Sequence, residues 1–168
     1  MDDNHDTPTL CPIARAEIIV GDRWTVLILR ELFMGSHRFE EIQAQTDGTP
    51  QMITARLKKL EAEGLVERRL YNERPKRYEY HLTKKGEAFF PVILALRAWG
   101  ETWCKAGDEG RAINYIHRKC GASAGLGPVC ENCGRPLTRE ELTADLNPVY
   151  RGERDLRLKA FKEGRSRG

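Results

Sequence analysis

The stretch that decides the fold is Thr49-Pro50-Gln51-Met52-Ile53-Thr54-Ala55-Arg56-Leu57-Lys58-Lys59-Leu60-Glu61-Ala62-Glu63-Gly64. Thr49 is a natural N-cap and Pro50 a natural first helical residue. Ile53, Leu57 and Leu60 recur at i, i+4 and i+7, the spacing of a buried helical stripe. At roughly 100° per residue, Gln51, Ala55, Lys58, Lys59 and Ala62 fall on the opposite side, flanked by Thr54 and Arg56. Gly64 closes the helix.

Working outward, Leu65 to Tyr71 is rich in strand formers, and Tyr78-Glu79-Tyr80-His81-Leu82 alternates with period two. Between them, residues 72–77 predict a hairpin loop carrying three cations, Arg74, Lys76 and Arg77. Upstream, helical spacing runs from Cys11 to Val20, from Trp24 to Phe33 and from about Arg38 to Thr46. The Trp24–Phe33 segment is apolar over much of its circumference and so reads as a buried helix. Gly48 stands just before the N-cap, where an apolar residue would staple against Ile53, so a looser helix start is expected. Helices in this order, a basic-faced helix and a two-stranded hairpin predict a mainly α (α+β) fold, a winged helix-turn-helix with a two-stranded wing. In that arrangement the fourth helix enters a DNA major groove and the wing cations reach the backbone.

Beyond the wing, a long helix is expected from Thr83 to about Ala106, bent near its start by Pro91. Its residues Phe89, Val92, Leu96, Trp99 and Trp103 are spaced 3, 4, 3 and 4. That is a heptad seam, which predicts a dimerisation helix facing a second copy.

His117, Cys120, Cys130 and Cys133 form H-x2-C and C-x2-C, and Cys120 and Cys133 are each followed by Gly. Ligands two residues apart can meet one ion from a tight turn, and three thiolates with one imidazole suit a structural Zn²⁺. Residues 107–148 therefore read as a small zinc-ribbon-like extension. Four protein ligands leave no open coordination position, which argues against a catalytic metal. The alternatives are unligated cysteines and a redox C-x2-C pair, although the βαβ context of such a pair is not visible. A helix start is expected at Thr138, and residues 149–168 read as a basic, flexible tail. Residues 1–10 read as disordered, which makes 11–106 the winged-helix DNA-binding and dimerisation domain.

The 168 residues carry 28 basic and 25 acidic groups, a net charge of +3 that conceals segregation. Residues 1–50 hold 4 basic against 9 acidic groups, residues 51–90 hold 10 against 6, and residues 149–168 hold 7 against 3. Clustered cations are the electrostatic footprint of a nucleic-acid partner. The longest apolar run, Ala88 to Leu96, is far short of the roughly 20 residues of a membrane span. The acidic start is unlike a secretory signal, so a cytoplasmic protein is expected. There, an odd count of five cysteines points to metal or thiol chemistry rather than a disulfide framework.

Several blocks together resemble the HxlR-type bacterial transcriptional regulators. They are Cys11-Pro12-Ile13, Gly21-Asp22-Arg23-Trp24 through Leu32, Arg38-Phe39-Glu40-Glu41-Ile42, Thr54 to Glu61, Gly64 to Arg68, Arg77 to Gly86, and Pro91 to Gly100. The resemblance spans about residues 11–105. It implies a homodimeric winged helix on pseudo-palindromic double-stranded DNA, with dimer contacts from the first and last helices. It also implies regulation by an oxidant or a small molecule, with Cys11 as a candidate redox sensor and Cys104 as its candidate partner. On this reading Gln51, Thr54, Arg56, Lys58, Lys59, Arg74, Lys76 and Arg77 carry DNA binding, and the protein is a repressor rather than an enzyme. The rivals are a winged-helix protein-interaction adaptor and a thiol oxidoreductase using Cys130 and Cys133.

Overall fold

The computed structural model describes residues 10–107 and 109–166, so nearly all of the N-terminal stretch expected to be disordered lies outside the described residues. The chain divides into two compact units, one ending at Thr83 and one beginning at Lys84.

The first unit runs α1 (Pro12–Val20), α2 (Arg23–Met34), α3 (Phe39–Thr46), α4 (Pro50–Ala62), β1 (Val66–Glu73) and β2 (Lys76–Leu82). Each helix starts or stops for a local reason. Asp22 accepts the N–H groups of Trp24 and Thr25, both at 3.1 Å, and so caps α2. Gly35 ends α2 in the left-handed region at φ 91°, where a side chain would be strained. Glu41 reaches back to the Arg38 N–H at 3.2 Å at the start of α3. Thr49 Oγ1 accepts the Met52 N–H at 3.3 Å and caps α4, with Pro50 in its first turn.

Ile28, Leu29, Leu32 and Phe33 of α2, Ile42 of α3, and Ile53, Leu57 and Leu60 of α4 are buried together with Leu65 and Val66. Each such side chain contributes about 1.5–3 kcal/mol of transfer free energy. Among them Glu31 is fully buried but well partnered. It accepts from Arg30 Nε at 2.9 Å and from Ser36 at 3.1 Å, while Arg30 also donates to the Gln45 carbonyl at 3.0 Å. That link ties α2 to α3.

The start of α4 is not loose, contrary to the expectation from Gly48. A Cβ on Gly48 would lie 2.5 Å from Ile53 Cδ1 and 3.0 Å from Trp24 Cδ1. Ile53 fills the space that a staple residue would take, so glycine permits the backbone to close onto it.

The wing is longer than its sequence suggests. β1 and β2 pair antiparallel, and the pairs Asn72↔Arg77 and Glu73↔Lys76 carry the ladder to a two-residue turn at Arg74–Pro75. Much of the expected loop is therefore strand. Arg38 bridges to Glu79, and Tyr80 N–H donates to the His37 carbonyl at 2.8 Å, which lays the chain before α3 along β2.

In the second unit the single long helix is replaced by α5 (Lys84–Glu87) and α6 (Phe90–Trp103), with Phe89 as the α6 N-cap. Pro91 has no N–H, and its ring excludes the carbonyl of Glu87, so the helix breaks rather than bends. β3 (Ile113–His117) pairs antiparallel with β4 (Leu142–Leu146). The helix expected from Thr138 is instead a 3₁₀ turn at Arg139–Glu141 followed by β4. Pairing with β3 overrides the local start signal.

The tail, expected without fixed structure, forms α7 (Pro148–Ser166). Asn147 Oδ1 accepts the Val149 N–H at 2.9 Å, Pro148 opens the helix, and Glu153–Arg157 and Lys159–Glu163 form i,i+4 pairs. No helix among the described residues is long and apolar enough to cross a membrane.

Asp22 makes the first unit sensitive to acid. Burial pushes its pKa up, but the Thr25 hydroxyl and N–H and the Arg56 guanidinium together hold it below its ordinary 3.8. A depressed folded pKa contributes stability that is complete above the unfolded value and is lost as pH falls through the folded one. We expect Asp22→Ala to cost about 1–2 kcal/mol at pH 7. The difference from wild type, measured by urea unfolding, should narrow toward pH 3, and an equal difference at both pH values would count against this assignment.

Candidate nucleic-acid interface and metal centre

Burial of Ile53, Leu57 and Leu60 turns the other side of α4 outward. Gln51, Thr54, Ala55, Lys58 and Ala62 are exposed. Arg56 is half-buried, and its Nε lies 3.0 Å from Asp22 Oδ1. Lys59 donates to the Ile18 carbonyl near the C-terminal end of α1, a favourable place for a cation. Two of the five predicted residues on this helix are thus held by the protein itself. Arg74, Lys76 and Arg77 are exposed together at the end of the wing. The wing base is stiffened by Arg38 over Tyr71 at 4.8 Å, Arg68 over Tyr78 at 5.0 Å, and the Arg38–Glu79 ion pair at 3.3 Å.

The seam residues Val92, Leu96, Trp99 and Trp103 share one face of α6, while Phe89 sits at its N-cap. Trp99 and Trp103 are 61% and 74% exposed. Single exposed apolar residues are ordinary, whereas two tryptophans on one line make a contiguous patch of the kind that marks an interface. Ile13 and Ile18 of α1 are exposed as well. Cys11, the α1 N-cap, and Cys104, at the end of α6, are both exposed.

The four residues of the predicted metal site converge, with ligand atoms all within 4.8 Å of one another. The two halves have matching backbones. Gly121 N–H donates to the His117 carbonyl and Gly134 N–H to the Cys130 carbonyl, and both glycines stand at φ 69°. Only a left-handed residue turns the chain back this tightly, which explains the repeated Cys-Gly. His117 Nδ1 lies 3.4 Å from Cys120 Sγ and 3.3 Å from Cys133 Sγ, and Cys120 Sγ lies 3.8 Å from Cys130 Sγ. Tetrahedral bonds of about 2.3 Å to sulfur and about 2.0 Å to nitrogen separate sulfurs by about 3.8 Å and sulfur from nitrogen by about 3.5 Å. The donor set fits such an ion.

The thiols are tuned unevenly. The Ala122 N–H holds Cys120 down to about 6 against its burial, helped by Asn132 and His117. Cys130 is lowered chiefly by the Cys133 N–H. The Arg135 N–H favours the Cys133 thiolate, but burial and the neighbouring sulfurs outweigh it and push that thiol up. Burial disfavours a charged His117, yet Cys120, Cys130 and Glu141 raise its pKa overall. A set that shares charge this closely is one that a cation relieves.

Glu141 was not legible as part of the site. Its Oε2 lies 3.5 Å from His117 Nε2, a fully buried nitrogen with no hydrogen-bond partner. Its other oxygen pairs with Lys119. The carboxylate therefore faces the ring nitrogen turned away from the sulfurs, as the outer partner of a metal-bound histidine does. Only the pairing of β3 with β4, which sets His117 opposite Leu142, brings it there.

Comparison with known proteins bears on the helix-turn-helix part of the chain and on its overall class. The model of the HxlR-like helix-turn-helix family matches residues 19–108. The HTH-type transcriptional regulator Rv3095 of Mycobacterium tuberculosis is 36% identical over 142 residues, covering 84% of this chain and 89% of its own. Among solved structures, the candidate transcription factor PA1607 is similar at 33% identity and a TM-score of 0.63, covering 83% of this chain and 96% of its own. The oxidised redox regulator HypR is similar at 31% identity and a TM-score of 0.53, covering 57% of this chain and all of its own.

Proposed function

This chain belongs to the HxlR-like helix-turn-helix family and is a DNA-binding transcriptional regulator, and we propose that it works as a cytoplasmic homodimeric repressor with a structural zinc ion. The observation that carries the reading is the outward face of α4, with Gln51, Thr54 and Lys58 exposed above a fully buried stripe.

Gln51 lies in the first turn, where its amide can pair bidentately with adenine in the major groove. Thr54 takes a base or a phosphate, and Lys58 a phosphate. Arg74, Lys76 and Arg77 take backbone phosphates from the wing. Arg56 and Lys59 are the weaker members of the set, since each would first leave an internal partner. Two reading heads joined through Val92, Leu96, Trp99 and Trp103, with Phe89 at the end of the seam, suit a two-fold operator. Its half-sites would lie about one helical turn, or a multiple of it, apart. Repression then follows from occupancy of the promoter. An oxidant signal has support from the likeness to HypR and from the exposed Cys11 at the start of α1.

The ion would be held by His117, Cys120, Cys130 and Cys133, with Glu141 orienting the histidine. It would supply the cross-link that a segment this small lacks in hydrophobic core. A thiol oxidoreductase has less support, because His117 and Cys120 close the same cluster around Cys130 and Cys133.

Gln51→Ala should change base preference, whereas Arg77→Ala should weaken specific and random duplexes alike and lower the salt slope by about one. Mobility-shift titrations on the DNA upstream of its own and neighbouring genes test both. Wild-type behaviour of the two variants would refute the placement, and an oxidant response retained in Cys11→Ser would refute the sensor. Trp99→Ala combined with Trp103→Ala should halve the sedimenting mass, and an unchanged dimer would remove the seam. Metal analysis should find one zinc per chain, and Glu141→Ala should weaken zinc binding about 10- to 100-fold. Substoichiometric metal in protein purified without chelator would refute the zinc site.

A further inference from the structure

α6 carries two opposite lines of side chains. Val92, Leu96, Trp99 and Trp103 form the outer line. Phe90, Leu94, Arg97 and Glu101 form the other, at the same 4, 3, 4 spacing. Phe90 and Leu94 are buried, but the second half of this line is polar, and its hydrogen bonds run to the extension.

The Arg97 guanidinium donates to three carbonyls. They are Ile113 at 2.6 Å and Gly125 and Leu126 at 3.2 Å each. It also lies over the Tyr115 ring at 4.9 Å. One turn later Glu101 accepts the Ala112 N–H at 3.0 Å, and Lys105 joins Glu101 to the Gly110 carbonyl at 2.7 Å. Gly125 and Leu126 belong to the spacer between the two knuckles, and Ile113 begins the strand that ends at His117. The spacer is itself pinned, since Leu126 N–H donates to Glu131, one residue past the ligand Cys130. Arg97 thus grips both segments that the four ligands hold together.

We propose that the metal-bound ribbon braces α6 through Arg97 and Glu101, so that occupancy of the His117–Cys120–Cys130–Cys133 cluster controls the dimer seam on the opposite face of the same helix. The inference rests on the zinc reading above. The physical argument is one of fixed acceptors. The loop is tied to β3 by the Ala124 N–H on the Tyr115 carbonyl at 2.7 Å, but both its ends are knuckles, so the Gly125 and Leu126 carbonyls keep their places best while both knuckles are closed. Loss of the ion frees the spacer, the guanidinium loses a fixed set of acceptors, and the last two turns of α6, with Trp99 and Trp103, lose their inner support. Metal, or an oxidant that removes thiolates from the metal, becomes an input to DNA binding without touching the reading head. Arg97 is a positioning residue in this scheme, and the planar fork of arginine meets several carbonyls where lysine offers a single point.

The test uses the full chain with one zinc loaded, and again after chelation. Dimer dissociation, tryptophan emission and operator affinity are measured in both states. Metal removal should weaken the dimer and operator binding by about 5- to 150-fold, the usual span of coupling between sites. It should also red-shift the emission. Arg97→Lys should still bind one zinc per chain, with unchanged circular dichroism, but lose most of the zinc dependence. Glu101→Ala, a smaller cut in the same brace, should lose part of it. Retention of zinc with the same dimer constant and emission in the loaded and chelated protein would overturn the brace while leaving the metal site intact. So would full zinc dependence in both variants. A chain that binds no zinc overturns the metal site first and the brace with it.

Discussion

The outward face of α4 rests on the burial of three side chains, Ile53, Leu57 and Leu60, on the other side of that helix. A helix has no freedom to turn one face inward without turning the other outward, so this stripe alone dictates that Gln51, Thr54 and Lys58 are presented. Two contacts fix the orientation further. Gly48 lets the backbone close over Ile53, and the Asp22 that caps α2 also holds Arg56 of α4. One carboxylate therefore sets both where α2 begins and how α4 lies against it. Arginine here serves the scaffold, and the charge left outward on α4 is concentrated at Lys58.

What was legible in the sequence follows the range of the forces involved. The stripe on α4 and the cap at Thr49 are set by residues within one or two turns, and they stand as read. The convergence of His117 with the three cysteines was legible in the H-x2-C and C-x2-C spacing, and the repeated Cys-Gly is the trace of a left-handed turn. Two of the failures show what was missing. At Thr138 a local start signal lost to a strand partner 25 or so residues away in β3. In the tail, the cap Asn147–Pro148 and the i,i+4 ion pairs were present but were outweighed by the Arg- and Gly-rich composition. Glu141 and Arg97 were beyond reach for a different reason, since each acts through a contact that exists only after two distant segments have folded together.

The extension illustrates how a small module becomes rigid. Its buried residues, among them Ile113, Tyr115, Ala124, Leu137 and Leu142, are few, and the loop between the knuckles holds three glycine or proline residues, Gly125, Gly127 and Pro128. Apolar burial of that extent does not offset the backbone entropy of about 40 ordered residues. Two other contributions remain. One is the closed ligand cluster, which joins segments 13 residues apart, and the other is the set of charge-assisted hydrogen bonds from α6. Arg97 needs carbonyls that stay in place, and the knuckles need an anchor for the spacer between them. A helix that spends one face on this mutual support keeps only the opposite face for a partner, and there Leu96, Trp99 and Trp103 stand exposed. The exposed tryptophans and the half-buried arginine are therefore two consequences of one arrangement. The same helix holds the ribbon with its polar line and leaves its apolar line, on the opposite side of its axis, open to a partner of the kind proposed above.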